Sequence, residues 1–271
     1  MPDLVTSFAN PIVKRYRALG ARKVRRRESC FVVEGLQPVW RAVASPWDID
    51  TLIVAPDLLT NEAARRMVDG QREAGCPVLS VSREVFAHLS DRDGPAGLAA
   101  IVRGSVDGVE RFRPPSGRPV VALHQVGNPG NIGAILRSAD AAGAGGVMLV
   151  GACADPLAPA AVKASMGSVF AVPMAHAESV DDLFGWSESH SRPVVAVTGN
   201  TRNSLWRTAV DARSVLLFGS EGDGLPADLV ARCAASVAIP MEGTAESLNL
   251  ATAASVALFE LARRRDQKDR V

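Results

Sequence analysis

The sequence predicts an α/β protein of two domains, the second built on a parallel sheet covered by helices on both faces. Three observations predict it. Short apolar runs alternate with segments of helical period along the whole chain, the pattern of layered α/β folds. Residues 104–118 (Gly-Ser-Val-Asp-Gly-Val-Glu-Arg-Phe-Arg-Pro-Pro-Ser-Gly-Arg) interrupt that alternation with three glycines and a Pro-Pro pair, the composition of a linker. Beyond it several strands are near-continuous apolar runs, as when both faces of a parallel sheet are buried. A length of 271 residues suits roughly two domains.

In chain order, residues 1–28 form a basic helical arm whose apolar stripe (Ile12, Tyr16, Leu19) is thin. Strands at Phe31–Val33, Thr51–Ala55, Pro77–Val81 and Gly97–Arg103 then alternate with helices at Leu36–Val43, Asn61–Ala74 and Arg83–Leu89, giving a small α/β sandwich over 29–103. Past the linker, the domain 119–271 opens with a strand at 119–124 and a helix at 132–142. Strand Gly146–Val150, helix 159–166, strand Val169–Val172 and helix 179–189 follow. Strands Pro193–Thr198 and Val215–Phe218, a short helix near Pro226–Cys233 and strand Ser236–Ile239 lead to a last helix from Leu248 to about Arg265.

Composition narrows the class. A hydrophobic fraction of 47% supplies an ordinary globular core. No apolar run approaches the roughly 18–20 residues of a membrane span, and Met1-Pro2-Asp3-Leu4 lacks a signal-peptide pattern, so a cytoplasmic protein without a membrane partner is expected. Cys30, Cys76, Cys153 and Cys233 have no C-x-x-C spacing and no histidine at ligand distance in sequence, which points to buried thiols rather than a metal site. Net charge is only +1, yet Lys14, Arg15, Arg17, Arg22, Lys23, Arg25, Arg26 and Arg27 fall within residues 14–27 with no acid among them. A block of this density is a candidate phosphate-binding patch; a solvated helix face is the plainer reading of the block taken alone.

Ligands of parallel sheets bind beyond the carboxyl ends of the strands, which makes three loops candidates: 125–133, 219–226 and 240–249. The first turns sharply from strand to helix with Gly127, Gly130 and Gly133, and carries Asn128, Asn131 and, further into the helix, Arg137. Its glycine spacing is not G-x-G-x-x-G and the chain has no G-x-x-x-x-G-K-[ST], so neither a dinucleotide fingerprint nor a P-loop is present. Six residues separate Asn131 from Arg137, so helical geometry alone does not bring them together. The second loop, Gly219-Ser-Glu221-Gly-Asp-Gly-Leu225, offers backbone approach and an acceptor at Glu221. In the third, Ser247 is the expected N-cap of the last helix, and Asn249 is the residue expected to make a side-chain contact.

Together the segments Asn128–Asp140, Leu217–Leu225 and Ile239–Ala254 resemble, in order, the three motifs of the SpoU (TrmH-type) RNA 2′-O-ribose methyltransferases of the SPOUT class, a resemblance running from about residue 119 to 264. Phe31-Val-Val-Glu-Gly35 and Gly97–Val102 resemble the ends of the L30e-like substrate-binding domain that such enzymes often carry. The resemblance implies a deep trefoil knot in the second domain, an obligate homodimer with each site near the interface, and S-adenosylmethionine as cofactor, with no metal. It places Thr198, Gly199, Gly219, Ile239, Met241, Ser247 and Leu248 at the cofactor, and Asn131, Arg137, Glu221 and Asn249 at the catalytic loop. RNA would be held by the arm through Lys14, Arg15, Arg22, Lys23, Arg25, Arg26 and Arg27. One departure stands out: the family often has an acid where this chain has Asn128.

The family gives Arg137 the 2′-hydroxyl proton, but a guanidinium has a pKa above about 12. Arg137 is therefore expected to stay charged, positioning the ribose and stabilising the developing alkoxide. The expected activity is 2′-O-methylation of a ribose in RNA, 23S ribosomal RNA before tRNA. A non-catalytic RNA-binding or ribosome assembly factor is the alternative from another class; a nucleotide-dependent oxidoreductase is remote without G-x-G-x-x-G.

Overall fold

The computed structural model describes residues 4–91 and 93–268. The chain divides into two compact units, one made of residues up to Ser105 together with Asp155–Phe170, the other of Val106–Ala154 and the chain from Ala171.

The first unit carries a four-stranded sheet in the order β1-β4-β2-β3, from β1 (Cys30–Glu34), β2 (Asp48–Val54), β3 (Val78–Ser80) and β4 (Leu98–Arg103). Strand β4 runs antiparallel to both neighbours, and β2 pairs β3 in parallel. Helices α3 (Leu36–Val43), α4 (Glu62–Glu73) and α5 (Arg83–Leu89) connect the strands. Asn61 and Ser82 cap α4 and α5 by accepting the N–H groups of Ala64 and Val85, each cap contributing about 1 kcal/mol. The basic arm is two helices, α1 (Pro11–Ala18) and α2 (Arg22–Glu28). Its apolar side is less thin than the sequence suggests: Val13, Tyr16 and Leu19 are buried against Val32, Ile53, Phe86 and Ile101.

The second unit holds a seven-stranded sheet in which every pairing is parallel. Its strands are β5 (Asp107–Gly108), β6 (Val120–His124), β7 (Gly146–Val150), β8 (Met174–Ala177), β9 (Val194–Val197), β10 (Val215–Phe218) and β11 (Ala235–Val237), in the order β11-β9-β10-β6-β7-β8-β5. On one face Val120, Ala122, Leu217 and Ala196 pack with Leu183 and Trp186 of α8 (Val180–Ser189) and Leu229 of α9 (Ala227–Arg232). Helices α6 (Pro129–Ala142) and α10 (Leu250–Lys268) pack on each other, joined by a 2.6 Å hydrogen bond between the hydroxyls of Ser138 and Ser255.

Three local expectations are overturned. Residues 104–118 read as a linker, and the boundary between the units does fall there, at Ser105/Val106, yet the rest of the stretch is built into the second unit: Asp107–Gly108 adds an edge strand to β8, and buried Arg192 donates to the carbonyls of Pro115, Arg118 and Arg213. The apolar run Val169–Val172 is not a strand. Ser168–Phe170 is a 3-10 turn whose Phe170 stacks on Phe31 in the first unit, and the strand follows at Met174–Ala177. Helix α6 begins at Pro129 rather than Ile132, because Asn128 caps it and proline suits the first helical position.

Helix α7 (Pro159–Ser165) belongs to the first unit and packs on β1. None of the helices in the described residues is long and apolar enough to cross a membrane.

Candidate active site

Four neighbouring strands, β11, β9, β10 and β6, deliver their following loops to one edge of the parallel sheet. The loop after β10 folds back on itself: Ser220 and Gly224 form an isolated bridge, and Gly224 adopts φ 66°, a conformation that favours glycine. Gly219 lies against that return. A Cβ there would stand 2.1 Å from the Gly224 carbonyl.

Between the loops after β9, β10 and β11 lies a cleft of about 560 Å³. Thr198, Gly199, Gly219, Ile239, Met241, Ser247 and Leu248 all line it, as do Glu221 and Asn249. Sequence reasoning missed further lining residues: Phe218, Leu225, Leu250 and Ala253 on the apolar side, Asn200, Asp223 and Glu246 on the polar side. The signal for Asp223 and Glu246 was available, since acids in glycine-rich loops beyond strands have no helix or core role to fill. Among the described residues the lining holds three carboxylates (Glu221, Asp223, Glu246) and no cationic side chain.

One chain of hydrogen bonds ties three loops together at this cleft. Asn131 Nδ2 donates to Glu221 Oε1 at 2.8 Å, and Asn249 Nδ2 donates to Asn131 Oδ1 at 3.2 Å. Asn249 Oδ1 accepts from the N–H groups of Ala251 and Thr252 at 2.9 and 3.4 Å. The polarity is set at both ends, since an ionised carboxylate only accepts and a helix N-terminus only donates. Asn249, not Ser247, is therefore the N-cap of α10. The helix starts two residues later than the sequence suggests, which leaves Ser247 exposed on the cleft wall.

Asn128 answers the departure at the first motif. Its Oδ1 accepts from the N–H groups of Gly130 and Asn131 at 2.8 and 3.4 Å, a task an aspartate would perform equally well. His124, the last residue of β6, is buried, and burial holds its pKa below the ordinary imidazole value against the opposing field of Asp228.

Arg137 is not brought to this group. It is exposed on α6, lies outside the cleft lining, and its side chain makes no hydrogen bond or ion pair among the described residues. In the first unit the basic residues separate by environment. Lys14, Arg22, Lys23, Arg26 and Arg27 are exposed. Arg25 is buried at 6% exposure: its guanidinium donates twice to Asp155 Oδ2, at 2.9 and 2.7 Å, and to the carbonyls of Leu19 and Gly20. Arg15 is engaged by Glu28 and Asp50. Burial and four hydrogen bonds withdraw Arg25 from the expected phosphate patch, while Arg15, at 30% side-chain exposure, is turned toward its two carboxylates. Among the described residues no cluster of three or more His, Cys, Asp or Glu side chains could hold a metal ion.

Comparison with known proteins places this geometry. Residues 118–259 match the SpoU rRNA Methylase family, and residues 10–100 match the MRM3-like substrate binding domain. The crystal structure of an AdoMet-bound rRNA methyltransferase from Sinorhizobium meliloti is 37% identical and superposes with a TM-score of 0.86, covering 97% of this chain and 98% of that one. The 23S rRNA (uridine(2479)-2′-O)-methyltransferase of Streptomyces viridochromogenes is 30% identical over 91% of this chain and 87% of its own length. The 23S rRNA (guanosine(2553)-2′-O)-methyltransferase of Bacillus subtilis is 26% identical over 95% and 98%. With the family match running over residues 118–259, more than half of its length and through all three loops that the hydrogen bonds join, this chain belongs to the SpoU rRNA methylase family.

Proposed function

We propose that the protein transfers a methyl group from S-adenosylmethionine to the 2′-hydroxyl of a ribose in 23S ribosomal RNA. The observation that carries this reading is the Glu221–Asn131–Asn249 bridge, which joins three family motifs at the rim of one cleft. The cleft fits the cofactor. Its volume lies in the range of small-molecule sites, apolar Phe218, Leu225, Ile239 and Leu250 offer a seat for a base, and the three carboxylates favour a cationic ligand.

The bound cofactor supplies an electrophilic methyl on a sulfonium. Everything else falls to the chain. Gly199 lets backbone approach the ligand, Gly219 lets the loop after β10 fold back against Gly224, and the bridge holds the loops in register. Arg137 stays charged, positions the ribose and its phosphate and stabilises the developing alkoxide, while the proton leaves to water or a phosphate oxygen. Orientation can supply up to roughly 7–11 kcal/mol of such a barrier. Since Arg137 lies outside its own cleft lining, we assign it a place at the interface of a homodimer. We also infer the trefoil knot of the SPOUT class around the last helix, residues 1–28, 29–103 and 119–271 as arm, RNA-binding and methylase segments, and a cytoplasmic setting. RNA contact falls to Lys14, Arg22, Lys23, Arg26 and Arg27.

The test is methyl transfer from labelled S-adenosylmethionine to deproteinised rRNA and tRNA in parallel, with mapping of the modified ribose. Label at one 23S nucleotide is the expected result. Label in tRNA alone would overturn the substrate, and cofactor binding without transfer to free RNA or ribosomal particles would overturn the activity.

A further inference from the structure

Trp206 is an exposed indole on a rigid mount. It lies in the crossover between β9 and β10 and is 46% exposed. The backbone beneath it is pinned. The Leu205 N–H donates to the Ala238 carbonyl, and the Ala238 N–H to the Asn203 carbonyl, both at 2.8 Å. The N–H groups of Arg207 and Thr208 donate to the Ser204 carbonyl, and Arg264 of α10 donates to the carbonyls of Thr208 and Leu205. Leu205 beside it is fully buried, so the loop sinks one apolar side chain and holds the larger one out. Arg202 and Arg207 flank it. Both are exposed, and neither side chain makes a hydrogen bond or ion pair among the described residues.

The mount adjoins the cleft. The crossover begins with Thr198, Gly199 and Asn200 in the cleft lining, and Ala238 precedes Ile239 in the same wall. Two Cα steps and one interstrand spacing put the Trp206 Cα within about 13 Å of that of Ile239.

We propose that Trp206 is a stacking platform for an unpaired base of the RNA next to the target ribose, with Arg202 and Arg207 on the adjoining phosphates. The proposal rests on the reading of the cleft as an RNA-methylating site. Unpaired bases are recognised by stacking on aromatic rings, and every base has a π face, so this residue sets the position of the strand rather than the identity of the base. A second copy of the chain is the other partner an exposed indole could meet, and charge argues against it. A twofold contact here would oppose four arginines, and the nearest acid in sequence, Asp211, is engaged by Arg213.

The test compares Trp206→Ala, Trp206→Phe and the double variant Arg202→Gln/Arg207→Gln in methyl transfer to transcribed 23S rRNA. Sedimentation, cofactor affinity and tryptophan fluorescence during titration with single-stranded RNA complete it. Trp206→Ala is expected to raise KM for RNA about tenfold to a hundredfold, with kcat, cofactor affinity and sedimentation unchanged. Trp206→Phe keeps the ring and should recover most of the loss, yet part of the RNA-induced quenching seen with four tryptophans should be missing. An unchanged KM for RNA in Trp206→Ala would overturn the platform, and so would a changed oligomeric state, which would assign the residue to a protein interface. If Trp206→Ala fails to fold, the Trp206→Phe quenching difference decides. If the wild-type protein methylates no RNA, the reading of the cleft fails by itself, and the fluorescence titration still judges Trp206.

Discussion

Asn131 holds Glu221 at 2.8 Å across ninety residues of sequence, and the orientation of its amide leaves only its oxygen for Asn249. Reversing one amide would set donor against donor or acceptor against acceptor, so the bridge has a single polarity. Asn249→Asp separates its two duties. Aspartate still caps α10 but has no donor for Asn131. The melting temperature is expected to stay within about 1 °C while kcat falls tenfold or more. Asn249→Ala loses the cap as well, about 1 kcal/mol, which calorimetry should read as a drop of about 2–4 °C.

Arg137→Lys keeps a positive charge but loses the planar fork. Turnover is expected to fall about a hundredfold or more, with cofactor affinity measured by calorimetry unchanged. Near-wild-type turnover would remove Arg137 from the reaction.

Gly219→Ala places a methyl group 2.1 Å from the Gly224 carbonyl carbon and oxygen and 2.5 Å from the Leu225 nitrogen. None of these is a flexible side-chain end, so the loop must open. Overpacking of this kind costs about 1–3 kcal/mol, and cofactor affinity should fall at least about tenfold. Binding as tight as wild type would show that the loop lies outside the cofactor site.

Arg25 and Arg26 are neighbours with opposite fates. Arg25→Met strands Asp155 and two carbonyls and is expected to destabilise the fold by about 3 kcal/mol. Arg26→Ala should leave denaturant stability within about 0.5 kcal/mol and weaken RNA binding, lowering the slope of log K against log salt by about 0.7–0.9.

Acid should loosen the first unit through Asp50. Burial opposes its charge, but hydrogen bonds from Arg15 and Thr51 and the fields of Arg15 and Arg103 outweigh it and lower its pKa. A depressed folded pKa gives stability that is present above the ordinary carboxylate value and is lost as pH falls through the folded one. Thermal melts should therefore decline below about pH 4, and Asp50→Asn should flatten that decline while lowering stability at pH 7. An equally steep acid limb in the variant would assign it to other groups, among them Glu260, held at about 2 by hydrogen bonds from Arg263 and Arg264 against its burial.

Regular period made most of the fold legible. Leu36–Val43, Arg83–Leu89 and Val215–Phe218 are helix, helix and strand at the predicted bounds, because apolar spacing and local caps agree there. Where a segment's partner is distant, the sequence misleads. The run around Val169 has strand composition but serves an aromatic contact with Phe31 and Trp47. Asp107–Gly108 has loop composition yet extends a sheet, since backbone pairing needs no apolar side chain.

The candidate site divides in the same way. The glycine-rich loops announce themselves beyond apolar strands, and the structure sets Thr198, Gly219, Ile239 and Leu248 around one cleft. Asn249 as cap was hidden because Ser247 is as good a capping residue in sequence. Arg25 reads as one basic residue among eight; only the fold reveals Asp155, one hundred and thirty positions away.

The bonds of the last helix carry a consequence for synthesis. Asn249 reaches Asn131, Ser255 reaches Ser138, Arg264 reaches Leu205 and Thr208, and Arg265 reaches the Ala142 carbonyl. A nascent chain that has not yet released residues 249–265 from the ribosomal tunnel lacks one wall of the cleft and the brace behind it. The cleft is therefore complete only after the last helix has folded back onto α6, and RNA modification by the chain is expected no earlier than that.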